Sequence, residues 1–216
     1  FNYGSTSIDN IMKLSNMPKS DALKSIGLEE CRYAVCTYHP VTMYNGDVDE
    51  IIYNFLEAIK HTPEIEFIVT KSNADQGGAH INELLDASQT NITNLHVYTS
   101  LGVVRYLSLM KSAEFVLGNS SSGIIETPAF GIPTINIGDR QRGRLQSESI
   151  INCSTDSESI IVAIQKARSS DFRKICKSVK SPYGDGHAAE HIASKIIEVV
   201  NEDKIDLKKK FYDFEV

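Results

Sequence analysis

The sequence predicts an α/β fold, a Rossmann-like and mostly parallel sheet with helices on both faces. Three observations predict it. Apolar runs of strand length alternate with helix-period segments along nearly the whole chain. The strand-like runs are continuously apolar, as strands covered on both faces are, and do not alternate with polar residues. Gly, Ser, Asn and Arg gather where these runs end, which is where open α/β sheets carry their ligand loops.

The elements follow in order. A helical opening is expected over about residues 7–26. "RYAVCTYHP" reads as the first strand, and "DVDEIIYNFLEAIKHT" as a helix with Ile51, Ile52, Phe55, Leu56 and Ile59 on one face. "EIEFIVTKSN" and "HINELLDAS" form the next strand and helix, then "NLHVYTS" and "VVRYLSLMKSA", then "EFVLGNSS" and "GIIETPAF". "PTINIG" is a strand followed by the Arg-rich loop "DRQRGR". A short "SIINCS" leads into the helix "DSESIIVAIQKARSS", and a last helix is expected over about residues 187–201. Residues 1–201 therefore read as one domain and 202–216 as a tail with few apolar side chains to bury at home. The opening "FNYGSTSIDN" carries neither an initiator Met nor a capped start, so the chain reads as the middle of a longer protein.

Bulk composition narrows the function. The net charge of −6 disfavours nonspecific binding to nucleic acid or an anionic membrane, so an anionic ligand must be captured locally. No apolar run approaches the roughly 18 residues of a membrane span. Cys31 and Cys36 are not at zinc-knuckle spacing, and the four scattered cysteines read as reduced thiols of a cytoplasmic protein. No metal site or cofactor is expected.

The carboxyl-edge loops are those at about 38–46, 71–78, 98–102, 118–123 and 138–144. In "GNSSSG" the backbone N–H groups from Ser121 onward would open a helix, Gly118 and Gly123 would allow close approach, and Ser120 and Ser121 would add donors. That suits a diphosphate without net positive charge; an ordinary Asn or Ser helix cap with surplus surface serines is the competing reading. Neither common nucleotide fingerprint is present. Glu126 follows on the same short element, where it would accept ribose hydroxyls or merely complement a helix start. Pro128 ends or kinks that element. Arg140, with Arg142 and Arg144 beside it, would pair with a phosphate, brace the serine loop, or sit solvated. His39, held out of helical geometry by Pro40, would bind phosphate or protonate a leaving oxygen, or be structural. Asn73 ends the second strand, where a turn is the plain alternative. His187 reads as structural.

In the order "GSTSIDNI", "YHPVT", "KSNADQGG", "GNSSSGIIETPAFGIPTINIGDRQRGR" and "SPYGDGHAAEHI", these pieces resemble the C-terminal half of the UDP-N-acetylglucosamine 2-epimerase family. "GNSSSGIIE" and "DRQRGR" are similar to the hydrolysing, sialic-acid branch; the non-hydrolysing branch reads more like "SGGIQEE" here. The resemblance implies the C-terminal domain of a two-domain GT-B fold, with an N-terminal catalytic domain absent from this chain. It implies that Ser120 and Ser121 bind diphosphate and Glu126 the ribose. Arg140 would lie near the nucleotide, His39 would touch phosphate or sugar, Asn73 would face the cleft, and residues 98–103 would lie near uracil.

The implied reaction is loss of UDP from C1 of UDP-GlcNAc with removal of the C2 proton, followed by addition of water to give ManNAc. The C2 proton needs a carboxylate base, and in the family those carboxylates belong to the absent half. The implied partners are UDP or UDP-GlcNAc, that half, and further copies of the full-length protein, with no nucleic acid or membrane. The alternatives are a GT-B glycosyltransferase half and a non-catalytic nucleotide-sugar-binding module.

Overall fold

The computed structural model describes residues 1–14, 17–41, 47–73 and 77–202. Six strands form one sheet: β1 (Tyr33–Thr37), β2 (Glu66–Thr70), β3 (Leu95–Tyr98), β4 (Val116–Gly118), β5 (Thr134–Ile137) and β6 (Ile150–Cys153). Their spatial order is β3-β2-β1-β4-β5-β6, and every neighbouring pair is parallel. The chain works outward from β1 to β3, then returns to the other side of β1 as β4. The order thus reverses between β1 and β4, and a crevice opens at the carboxyl ends of those two strands.

Alternation along the strands divides the core. Ala34 and Cys36 of β1, Phe67 and Val69 of β2, and Leu117 of β4 face one layer, built from α3 (Val48–Lys60), α4 (Gly78–Gln89), α7 (Ser157–Arg168) and α8 (Ser170–Ser178). Tyr33, Val35, Ile68 and Val116 face the other, built from α1 (Thr6–Lys13), α2 (Lys19–Lys24) and α5 (Gly102–Ser112). All five residues of β1 are buried, which accounts for its unbroken apolar pattern. The predicted face of α3 is the buried one: Ile51, Ile52, Phe55, Leu56 and Ile59 all lie in the first layer. Burying side chains of this size contributes about 1.5–3 kcal/mol each.

One expected helix is divided and one helix is additional. The opening helix is two helices, because Pro18 caps the start of α2 and Leu14 is already extended at the end of α1. Proline donates no backbone hydrogen bond and restricts the residue before it, so one helix cannot run through. The helix after β6, α7, lies where expected, and α8, which the sequence reading did not include, follows it. Ser169 ends α7 in extended geometry, and its hydroxyl accepts the Phe172 N–H at 3.3 Å to start α8. The last helix, α9 (Ala188–Asn201), lies where expected. The tail beyond residue 202 lies outside the described residues.

All four cysteines are free thiols. Among the described residues no helix is long and apolar enough to cross a membrane, and no group of three His, Cys, Asp or Glu side chains is placed to hold a metal ion.

Candidate functional site: the carboxyl edge around Asn119

The site begins where β1 and β4 stop pairing. Their ladder ends at Thr37 opposite Gly118, after which Asn119 N–H donates to the Thr37 carbonyl at 3.2 Å. Gly118 has φ +137°, and a Cβ there would lie 2.0 Å from the Thr37 oxygen, so only glycine lets the strands approach this closely. The close approach Gly118 provides is strand to strand.

Past the ladder, a side chain takes over from the backbone. Asn119 is completely buried; its Oδ1 accepts the His39 N–H at 2.7 Å, and its Nδ2 donates to the His39 carbonyl at 2.8 Å. The Asn119 carbonyl in turn accepts Arg140 Nη1 at 3.0 Å and Gln141 Nε2 at 2.7 Å. One residue therefore ties the His39 segment, the serine loop and the Arg-rich loop together. Losing its amide would remove a hydrogen-bond partner from each of two buried backbone groups, at about 1–3 kcal/mol each.

Ser120 is the N-cap of the short helix α6 (Ser121–Ile125), accepting the Ser122 N–H at 3.4 Å. The capping reading of Ser120 thus holds, and capping leaves its side chain at the cavity wall. Ser121 opens α6, half-buried. Gly123 is buried, and a Cβ there would meet Thr134 Cγ2 at 2.9 Å, while Thr134 Oγ1 donates to the Gly123 carbonyl at 2.8 Å. The bareness of Gly123 serves helix-to-sheet packing. Glu126 closes α6 and precedes a 3-10 turn (Thr127–Phe130) that carries Pro128 near its start, so serines and acid do share one short rigid element. Burial pushes the Glu126 carboxyl above the ordinary carboxylate range, partly offset by a hydrogen bond from Ser122. Tyr106, whose hydroxyl engages Thr37 and Ser122, is also pushed up by burial.

A cavity of about 320 Å³ opens at this edge, walled by His39, Asn73, Ser120, Ser122, Tyr106 and the loop 99–103. Of the sequence-predicted residues it unites His39, Asn73 and Ser120 with that loop. Tyr98 itself is turned away, its hydroxyl donating to the Ile26 carbonyl at 2.9 Å. Glu126, Ser121 and Gly123 stand behind the wall and do not line it. Arg140 braces the Asn119 carbonyl, the second of its three readings, and Arg142 and Arg144 are exposed. His39 is 7% exposed, with Nδ1 at 3.2 Å from Ser72 Oγ. A larger cavity of about 670 Å³, lined by Tyr3, Ile8, Met12, Pro182 and His191 among others, contains none of the predicted residues.

Sequence reasoning missed Asn119, Ser122 and Tyr106. Asn119 sat inside the quoted loop and read only as a cap. Ser122 was one of three identical residues, and which serine faces the cavity depends on the helix phase that Ser120 sets. Tyr106 lies inside a helix at core spacing and carried no signal.

A family model described as UDP-N-acetylglucosamine 2-epimerase matches residues 1–197. A GDP/UDP-N,N'-diacetylbacillosamine 2-epimerase (hydrolyzing) of Campylobacter jejuni is 36% identical over 99% of this chain and 55% of its own length. The polysialic acid biosynthesis protein P7 of Escherichia coli is 31% identical over 99% of this chain and 54% of its own. The chain thus spans about half the length of these curated relatives. Among solved structures, the S. aureus MnaA–UDP co-structure aligns with a TM-score of 0.71 at 17% identity, covering 99% of this chain and 57% of that one. The Methanocaldococcus jannaschii UDP-GlcNAc 2-epimerase in complex with UDP-GlcNAc and UDP aligns at 0.68 and 17%, covering 92% and 54%. At such identities these likenesses establish the fold alone.

Proposed function

The chain belongs to the UDP-N-acetylglucosamine 2-epimerase family, and from that premise we propose that it is the UDP-binding half of a hydrolysing 2-epimerase. The complete enzyme converts UDP-GlcNAc, or a closely related nucleotide-linked 2-acetamido sugar, to the free 2-epimeric sugar and UDP, for sialic acid, capsule or similar surface-sugar synthesis. It works in the cytoplasm as a homo-oligomer, and its other half supplies an N-terminal catalytic domain.

One observation carries this reading. His39, Asn73 and Ser120, drawn from three separate loops, converge on a single cavity at the point where the strand order reverses. The cavity offers an imidazole, an ammonium, a carboxamide and hydroxyls, and the loop 99–103 forms one side of it. Departure of UDP from C1 builds negative charge on the diphosphate, and hydroxyl and imidazole donors fixed beforehand stabilise that charge without reorganising. Glu126, set behind the serines, is assigned to the ribose; Ser121, Gly123 and Arg140 shape and brace the diphosphate cradle.

Calorimetric titration of the chain with UDP tests the proposal. Micromolar to millimolar binding that both Ser120→Ala and Glu126→Ala abolish is the expected result. UDP binding that neither substitution changes would place the nucleotide elsewhere and overturn it. Release of a free sugar, and not of a glycoside, by the complete protein separates this function from that of a glycosyltransferase of the same fold.

A further inference from the structure

His39 is held from two sides by the same device. On one side the Asn119 carboxamide grips its backbone N–H and carbonyl. On the other, its ring Nδ1 meets Ser72 Oγ at 3.2 Å, and Ser72 is gripped in the same reciprocal manner by Asn82 of α4. Ser72 N–H donates to Asn82 Oδ1 at 2.8 Å, and Asn82 Nδ2 donates to the Ser72 carbonyl at 3.2 Å.

The fold explains why a side chain is needed there. β2 ends at Thr70, and the ladder to β3 is carried one residue further by Lys71 N–H donating to the Tyr98 carbonyl at 2.9 Å. Ser72, 8% exposed, comes after the ladder has ended, so its backbone groups must find partners elsewhere. Gly78 provides the approach. A Cβ there would lie 2.1 Å from the Asn73 carbonyl oxygen and 3.3 Å from Ser72 Oγ, so the first turn of α4 rests directly under this segment. Asn82 is one turn further along the same helix face, beside Ser72.

We infer that Asn82 is a positioning residue for His39, acting through Ser72 to fix the imidazole's orientation at the edge of the cavity. The inference rests on the reading of His39 as a ligand-contacting group. A carboxamide that merely satisfied a loop backbone would leave the ring indifferent to its loss. Here the hydroxyl that touches the ring belongs to the residue being gripped, so loosening Ser72 loosens the hydrogen bond that holds the ring in place.

The test is ¹⁵N NMR of histidine-labelled chain, with the His39 signals assigned by their loss in His39→Gln, paired with UDP titration. The native chain is expected to show one sharp, fixed set of His39 ring shifts. Asn82→Ala and Ser72→Ala are expected to shift and broaden that set and to weaken UDP binding about tenfold. Asn82→Asp, which keeps the acceptor for Ser72 N–H and loses the donor, should fall between. A native-like His39 spectrum in folded Asn82→Ala would overturn the inference. If Asn82→Ala does not fold, Ser72→Ala decides alone by the same spectrum. Failure of the native chain to bind UDP would sink the nucleotide-site reading while the ring spectrum still decides the role of Asn82.

Discussion

Asp9 in α1 caps the start of α9 from 179 residues away: its Oδ1 accepts the Ala188 N–H at 3.0 Å and its Oδ2 the Ala189 N–H at 2.7 Å. His187, the residue at the cap position itself, makes no side-chain cap bond. The two donated bonds, the Ala189 one first, hold the Asp9 carboxyl below its ordinary range against an opposing cost of burial. A depressed carboxylate stabilises the fold above its unfolded pKa, and that contribution disappears as pH falls through the folded value. Asp9→Asn should therefore lower Tm at pH 7, and the gap from the native chain should close progressively below about pH 5. Thermal melts followed by circular dichroism across that range check it; a gap independent of pH would mean the carboxylate charge plays no part.

Gly123 and Thr134 give a second prediction. Because the missing Cβ would meet Thr134 Cγ2 at 2.9 Å, Gly123→Ala should destabilise by about 1–3 kcal/mol. Thr134→Ser removes that methyl while keeping the hydroxyl that donates to the Gly123 carbonyl. The double variant should recover most of the loss, seen as a return of the urea midpoint. Additive losses would show that Gly123 is constrained by something other than this packing.

Much of this arrangement was legible in the sequence. Strands such as Tyr33–Thr37 are buried on both faces, so their apolar runs stood out, and the helix from Val48 to Lys60 showed its buried stripe directly. The carboxyl-edge rule then pointed to loops that the fold brings together, since His39, Asn73 and Ser120 line one cavity. What stayed hidden depends on contacts distant in sequence. Asn119 and His39 are 80 residues apart and bond only because β1 and β4 are neighbours, an adjacency no local pattern encodes. Asn82 looks like any polar residue on an amphipathic helix. Gly123 was read as leaving room for a ligand; the space it leaves is taken by Thr134 of β5.

Glu126 supplies a pH prediction. Its carboxyl is raised by burial, so in the folded chain its ionised form is costly; the protonated form's advantage is full below the unfolded pKa and is lost as pH rises through the folded value. Accepting from both ribose hydroxyls is strongest with the ionised form, whose two oxygens are both acceptors. UDP affinity should thus begin to fall, as pH is lowered, at a higher pH than an ordinary carboxyl would give. Glu126→Gln should bind about ten- to hundredfold more weakly at neutral pH and keep only the pH dependence of UDP itself. Calorimetry from pH 7.5 to 5 on both proteins makes the comparison, and parallel profiles would remove Glu126 from the ribose.

The last prediction concerns chemistry. Abstracting the C2 proton of the sugar demands a carboxylate or comparable base within about 3 Å of it, directly or through one water. The cavity walls, among the described residues, supply His39, Lys71, Asn73, Tyr106, serines and threonines, and no Asp or Glu; the Lys71 ammonium is paired with Asp86. Glu126 does not line the cavity; it is half-buried and hydrogen-bonded by Ser122. The described walls therefore present donors for a diphosphate and no carboxylate base. With UDP-GlcNAc in deuterated water it should bind the nucleotide sugar but release no UDP and exchange no C2 hydrogen, as followed by proton NMR. Deuterium at C2 would show that a base exists within this half after all, and His39 would be the first residue to substitute. Exchange restored only when the complementary half is added would assign the base to that half, leaving to this chain the binding of the leaving group.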